Sequence, residues 1–163
     1  MKDEQLKKIG QYIRQIHHFQ KYLINKKIND KKIGITYEQA WVLMLLYNHN
    51  GVNQQEIANL CYKEKSTILR LIDALERMNY VTRQRDKNDR RNNNIFITKS
   101  GAIIQKEIMS MHIELLYSLF EGLSDETIDK AEHVVFQIHQ NLYRASNQLN
   151  IESSICERKN DAI

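Results

Sequence analysis

The chain has 163 residues, 42% hydrophobic and 27% charged, with a formal net charge of +4, which suits one globular domain able to bury a real core. No apolar run approaches the ~18 residues of a membrane span, and the start, MKDEQLKK, has no apolar stretch of the kind a secretory leader needs. Two cysteines, Cys61 and Cys156, stand at neither a metal nor a redox spacing, so a reducing cytoplasm is the expected setting and a membrane is not an expected partner.

The charge is unevenly placed. Residues 1–99 hold 19 Lys and Arg against 10 Asp and Glu, while residues 100–163 hold 5 against 10. A balance of +9 followed by −5 suits a positioned surface for a polyanion rather than a uniformly basic protein.

In chain order, Leu6, Ile9, Ile13, Ile16, Gln20 and Leu23 recur at steps of three and four, the stripe of an amphipathic helix. Tyr12, Phe19 and Tyr22 make that stripe wider than one core contact requires. Thr36 with Gln39 predicts a capping box opening YEQAWVLMLLY, a helix apolar nearly all round and therefore central. HNGVN then breaks the chain, and Asn53 with Glu56 predicts a cap for the short helix QQEIANLC. After the turn YKEK comes STILRLIDALERM, with Ile68, Leu71, Ile72, Leu75 and Met78 on one face and Asn79 as an αL terminator.

Next, YVT and IFIT are β-branched and aromatic, and predict two strands around a cationic tip. Thr98 and Gly101 bracket the start of a long helix buried through Ile104, Ile108, Met111, Leu115 and Leu119. It stops at Gly122. Ser124 caps a last helix through Ile128, Ala131, Val135, Ile138, Leu142 and Leu149. The tail, 151–163, lacks periodicity. With no proline, nothing forbids the long helices.

A short helix, a turn and a second helix is the helix-turn-helix order, whose second helix enters the major groove N-terminus first. Lys63, Lys65, Ser66 and Thr67 stand at that start, and Arg70 lies off the apolar stripe. Hydroxyls and Arg suit base edges, and lysines suit phosphates. The cationic hairpin that follows completes a winged helix. Its tip can place an arginine in the adjacent minor groove. There Asp89 is expected to fix Arg91 through a bidentate hydrogen bond, with Arg90 and Arg83 serving nearby phosphates.

The stretch DKNDRRNNNIFITKSG resembles the wing of the MarR family of bacterial transcription regulators, where an Asp-(Arg/Lys)-Arg tip precedes a strand and Leu-Thr-x-x-Gly. Asp89, Arg90, Arg91, Thr98 and Gly101 stand at those positions, with Ile97 in place of the Leu and Asn79 where the family usually has Gly. STILRLIDALERMNYVTR is similar to that family's recognition helix running into its first wing strand.

The resemblance spans residues 4–150 and implies a mainly α fold with a small β-hairpin wing, one MarR-like domain over 1–150. A winged helix-turn-helix unit at 36–101 would be flanked by dimerisation helices at 4–30 and 102–150. It also implies a homodimer on a pseudo-palindromic operator in double-stranded DNA, and a ligand-responsive repressor. The family's small-molecule pocket lies between the dimer helices and the winged helix, where His17, Trp41, Leu45 and Met111 are candidate lining residues.

Other chemistries have less support. No H-x-x-x-H, H-E-x-x-H or C-x-x-C pair exists for a metal, and no glycine-rich phosphate loop or G-x-S-x-G exists for a cofactor or for catalysis. Neither an enzyme nor a cofactor is expected. Two alternatives remain: a winged helix that docks another protein, and a redox sensor in which Lys63 and Lys65 lower the pKa of Cys61.

Overall fold

A computed structural model of the chain describes residues 2–86 and 93–148. Asp89, Arg90, Arg91, Leu149 and the tail therefore lie outside the described residues. The elements run α1 (Lys2–Asp30), α2 (Tyr37–Asn48), β1 (Val52–Asn53), α3 (Gln54–Leu60), α4 (Lys65–Arg77), β2 (Val81–Arg85), β3 (Asn93–Ile97), α5 (Lys99–Leu119) and α6 (Asp125–Gln148).

The helix starts are written in side chains. Thr36 Oγ1 accepts the Gln39 amide at 3.3 Å while Gln39 Oε1 accepts the Thr36 amide at 2.8 Å, so both expected halves of the capping box form. Asn53 Oδ1 accepts from Gln55 and Glu56 at 2.9 and 3.0 Å, and Glu56 Oε2 returns the bond to the Asn53 amide at 3.0 Å. At the end of α4, Asn79 takes φ 57°, and the Tyr80 amide reaches back to Leu75 O at 2.9 Å. Asn thus supplies the left-handed turn that Gly more often gives.

The core is one cluster. It draws Ile24 and Ile28 from α1, Val42, Leu43 and Leu46 from α2, Ile57 from α3, and Ile68, Ile72 and Leu75 from α4. Val81 and Ile95 join it from the strands, and Ile108 and Met111 from α5. The buried stripe on α4 turns its opposite face outward. That stripe sets the pose of everything the helix exposes.

The sheet has three strands, not two. Its order is β1-β3-β2, all antiparallel, with Val52 opposite Ile95 and Val81 opposite Ile97. The unforeseen strand, β1, lies in the HNGVN break. Gly51 at φ 84° turns the chain there, its amide donates to Ile95 O at 2.9 Å, and Asn50 Oδ1 accepts the Ile97 amide at 2.9 Å.

On α5 the buried face is Gly101, Gln105, Ile108, Met111 and Leu115. Ile104 is only half-buried and Leu119 is exposed, because burial on this helix stops at Leu115. No described residue of α6 is buried, although Val135 and Leu142 belong to its apolar face. Along α1, Leu6, Ile9, Tyr12, Ile13, Ile16, Phe19 and Tyr22 are likewise exposed. The charged pairs Lys27–Glu114 (2.7 Å) and Lys31–Glu107 (3.1 Å) tie the end of α1 and the residue after it to α5.

The wing is fixed to α5 at one junction. The Tyr80 carbonyl accepts the Thr98 amide at 3.0 Å, and Thr98 Oγ1 accepts the Gly101 amide at 3.0 Å as the helix cap. A Cβ on Gly101 would stand 2.0 Å from the Tyr80 oxygen. Backbone cannot give way as a flexible side chain would. Gly101→Ala is therefore expected to destabilise the chain by about 3 kcal/mol or more, read as a fall of roughly 6–12 °C or more in the thermal unfolding midpoint followed by circular dichroism.

Candidate nucleic-acid interface

The turn from α3 to α4 closes with Tyr62 at φ 50° and the Lys63 amide bonded to Ala58 O at 3.0 Å. It delivers Lys63, Glu64, Lys65 and Ser66 as an exposed segment at the start of α4. Glu64, at the N-cap, makes no side-chain capping bond. The first amides of α4 thus carry their partial positive charge at an open helix end, beside two lysines. Thr67 is half-buried and Arg70 exposed, and Arg70 Nε makes one long bond, 3.4 Å, to Ser66 O. Of the five residues expected to meet DNA here, Lys63 lies in the turn just before α4, and Lys65, Ser66, Thr67 and Arg70 occupy its first two turns.

Arg83 differs from its expectation. It does not reach outward for a phosphate. Its guanidinium is held by Asp73 and Glu76, one terminal nitrogen to each carboxylate, and its side chain is largely buried. Both carboxylates sit on α4, so this fork binds the first wing strand to the groove helix. Asp73 and Glu76 went unremarked in the sequence; their spacing of three on one helix flank is the signal that could have found them. Nearer the tip, Asn94 Nδ2 donates to Asp86 Oδ2 at 2.8 Å across the strands.

A cleft of about 550 Å³ lies between α1, α2, α5 and the α3–α4 turn. Of the candidate lining residues, His17 and Trp41 do line it, but Leu45 and Met111 do not. Met111 is 1% exposed in the core, and Leu45 packs against that core half-buried. Helical position alone cannot tell the two sides of an apolar helix apart. The cleft's polar groups were missed as well. Lys21 pairs with Glu38 at 2.6 Å and lies 5.8 Å from the centre of the Tyr37 ring. The Tyr37 and His112 rings stand 6.4 Å apart.

His112 Nδ1 lies 3.0 Å from Ile108 O, so in the neutral ring Nδ1 carries the proton and Nε2 is the accepting nitrogen. The hydrogen bond from Lys21 holds the Glu38 carboxyl below its ordinary range. Burial pushes the Tyr37 hydroxyl above its own. Cys61, Tyr62 and Lys63 also line the cleft. Its wall is thus the same turn that leads into α4.

The Cys61 expectation is corrected too. Burial pushes its thiol up to about 11, outweighing the opposite pull of Lys63. A thiol at that value is mostly protonated near neutral pH and is no ready nucleophile. Among the described residues, no three His, Cys, Asp or Glu side chains converge on a metal-sized site, and no helix is long and apolar enough to cross a membrane.

The MarR family model matches residues 35–92, from the residue before the Thr36 cap into the wing. The HTH-type transcriptional regulator SarZ of Staphylococcus epidermidis is 31% identical over 111 residues, covering 67% of this chain and 74% of SarZ. The chain belongs to the MarR family. As a MarR-family transcription regulator it also shares its fold with solved relatives. The crystal structure of a MarR transcriptional regulator from Methanosarcina mazei Go1 superposes with a TM-score of 0.78 at 28% identity, covering 85% of this chain and 99% of that one. The S. aureus MepR–DNA complex gives 0.71 at 28% identity, covering 80% and 94%.

Two outcomes test this geometry. Arg83→Ala leaves two carboxylates without their shared cation, and is expected to lower stability by about 1–2 kcal/mol in urea unfolding. In a Cys156→Ser chain, alkylation of Cys61 by iodoacetamide at pH 8 is expected to run at least about tenfold slower than that of a free thiol, and to rise with pH well beyond pH 9.

Proposed function

We propose that this MarR-family regulator binds double-stranded DNA sequence-specifically as a homodimer and acts as a ligand-responsive repressor in the cytoplasm. One observation carries the reading: an uncapped, basic helix start presents Ser66, Thr67 and Arg70 on a helix whose other face is locked in the core. Ser66, Thr67 and Arg70 read base edges in the major groove, and Lys63 and Lys65 hold phosphates. The wing extends this contact into the minor groove, with Asp89 positioning Arg91 and Arg90 on a phosphate.

The dimer is supported by the uncovered apolar faces of α1 and α6, runs of exposed large apolar side chains of the kind that mark interaction surfaces. Residues 36–101 act as the DNA-binding unit, with 4–30 and 102–150 as the dimerisation helices. Two copies related by a twofold axis require a pseudo-palindromic operator with half-sites about one helical turn apart, ~10 bp. The cleft receives a small-molecule effector, whose occupancy is felt at the turn that starts α4. The structural neighbour MepR, solved with DNA, supports the choice of partner.

Fluorescence anisotropy on duplexes enriched by the full chain from a random library tests this. Affinity should fall steeply with salt as counterions are released, and Arg70→Ala should cost about 1–3 kcal/mol on the enriched duplex with relaxed specificity. A shallow salt dependence with no duplex preference would instead assign the winged helix to protein docking.

A further inference from the structure

On α4 the exposed surface is polar except at one place. Leu69 is 42% exposed, while Ile68, Ile72 and Leu75 of the same helix are fully buried. No other large apolar side chain of α4 is exposed. Most of the other exposed apolar residues lie on α1, α5 and α6, the faces offered to a second copy, and α4 is not among those elements. Leu69 thus needs its own account.

Its position supplies one. Leu69, Asp73 and Glu76 follow at i, i+4 and i+7 down one flank of α4. Arg83 from β2 occupies the last two. Leu69 stands one turn nearer the helix start, beyond the reach of that clamp. Ser66 precedes it by three residues on the same side, and the exposed Arg70 is its neighbour. An apolar group set among base-reading polar groups needs an apolar counterpart in the major groove. The groove floor offers one, the 5-methyl group of thymine.

We propose that Leu69 is a specificity-determining residue that packs against a thymine methyl in each half-site, beside the base read by Arg70. This inference rests on the DNA-binding reading above. It gives α4 a mixed code, in which Arg70 and Ser66 exchange hydrogen bonds while Leu69 recognises an apolar methyl group.

The test replaces thymine by deoxyuridine, one position at a time, in the duplex enriched by the full chain. Deoxyuridine pairs with adenine identically and lacks only the methyl group. Wild type should lose about fourfold in affinity at one thymine per half-site, the value of one methyl group taken out of water, and about fifteenfold when both half-sites are substituted. Leu69→Ala and Leu69→Gln should bind the thymine and deoxyuridine duplexes equally. A wild type indifferent to every thymine methyl, or a discrimination that persists in both variants, overturns the role of Leu69 while leaving DNA binding intact. Failure of wild type to bind any duplex overturns the DNA-binding reading itself, and this inference with it.

Discussion

The junction where Tyr80, Thr98 and Gly101 meet governs the arrangement of the whole molecule. Here the end of α4, both wing strands and the start of α5 converge within a few ångströms. Thr98 Oγ1 and Ser100 Oγ both donate to the carbonyl of Asn79 at 2.6 Å, and the next carbonyl, that of Tyr80, takes the Thr98 amide. Two consecutive carbonyls leaving a helix are thus satisfied by the residues that open the next one. The missing side chain of Gly101 lets the two backbones approach closely enough for this. Without that approach the hairpin would have no fixed base, and α5 no fixed angle to the groove helix.

From this base, electrostatics finishes what packing begins. The carboxylates of Asp73 and Glu76 on the groove helix would repel phosphate if left alone. Arg83 pairs with both, offsets one of their two negative charges and, being planar and forked, also fixes direction. The same economy appears in the cleft, where Lys21 serves both the Glu38 carboxylate and the Tyr37 ring face. Cys61 shows the opposite balance. A lysine two residues away is too weak a source of field to offset removal of the thiolate from water.

Much of the fold was legible because its signals are local. A capping box spans four residues, and the stripe of α4 spans three turns, so Thr36, Asn53, Ile68, Ile72 and Leu75 could be read in place. The wing signature was equally local, from Asp89 to Gly101. What stayed hidden depends on partners distant in sequence. β1 is two residues long, too short for any period, and exists because Ile95 and Ile97 pair with a turn more than forty residues earlier. Arg83 reads as one more cation until the hairpin folds it back against α4. Leu45 sits on α2, apolar nearly all round, where periodicity cannot say which side faces the core and which a cleft, whereas Met111 lies on the buried face that the spacing of α5 had marked.

The fork of Arg83 also determines what kind of mechanical object the molecule is. Because β2 is tied to α4 by two charged bonds as well as by Asn79, the groove helix and the first wing strand are held together like one jaw of a calliper. If two such jaws face one duplex, a signal arriving at the α3–α4 turn would move the groove helix and the first wing strand together, changing the gap between two jaws against the ~34 Å repeat of the double helix. Control of this kind would act on spacing, so a shift too small to break any single protein–DNA bond would put both halves out of register together.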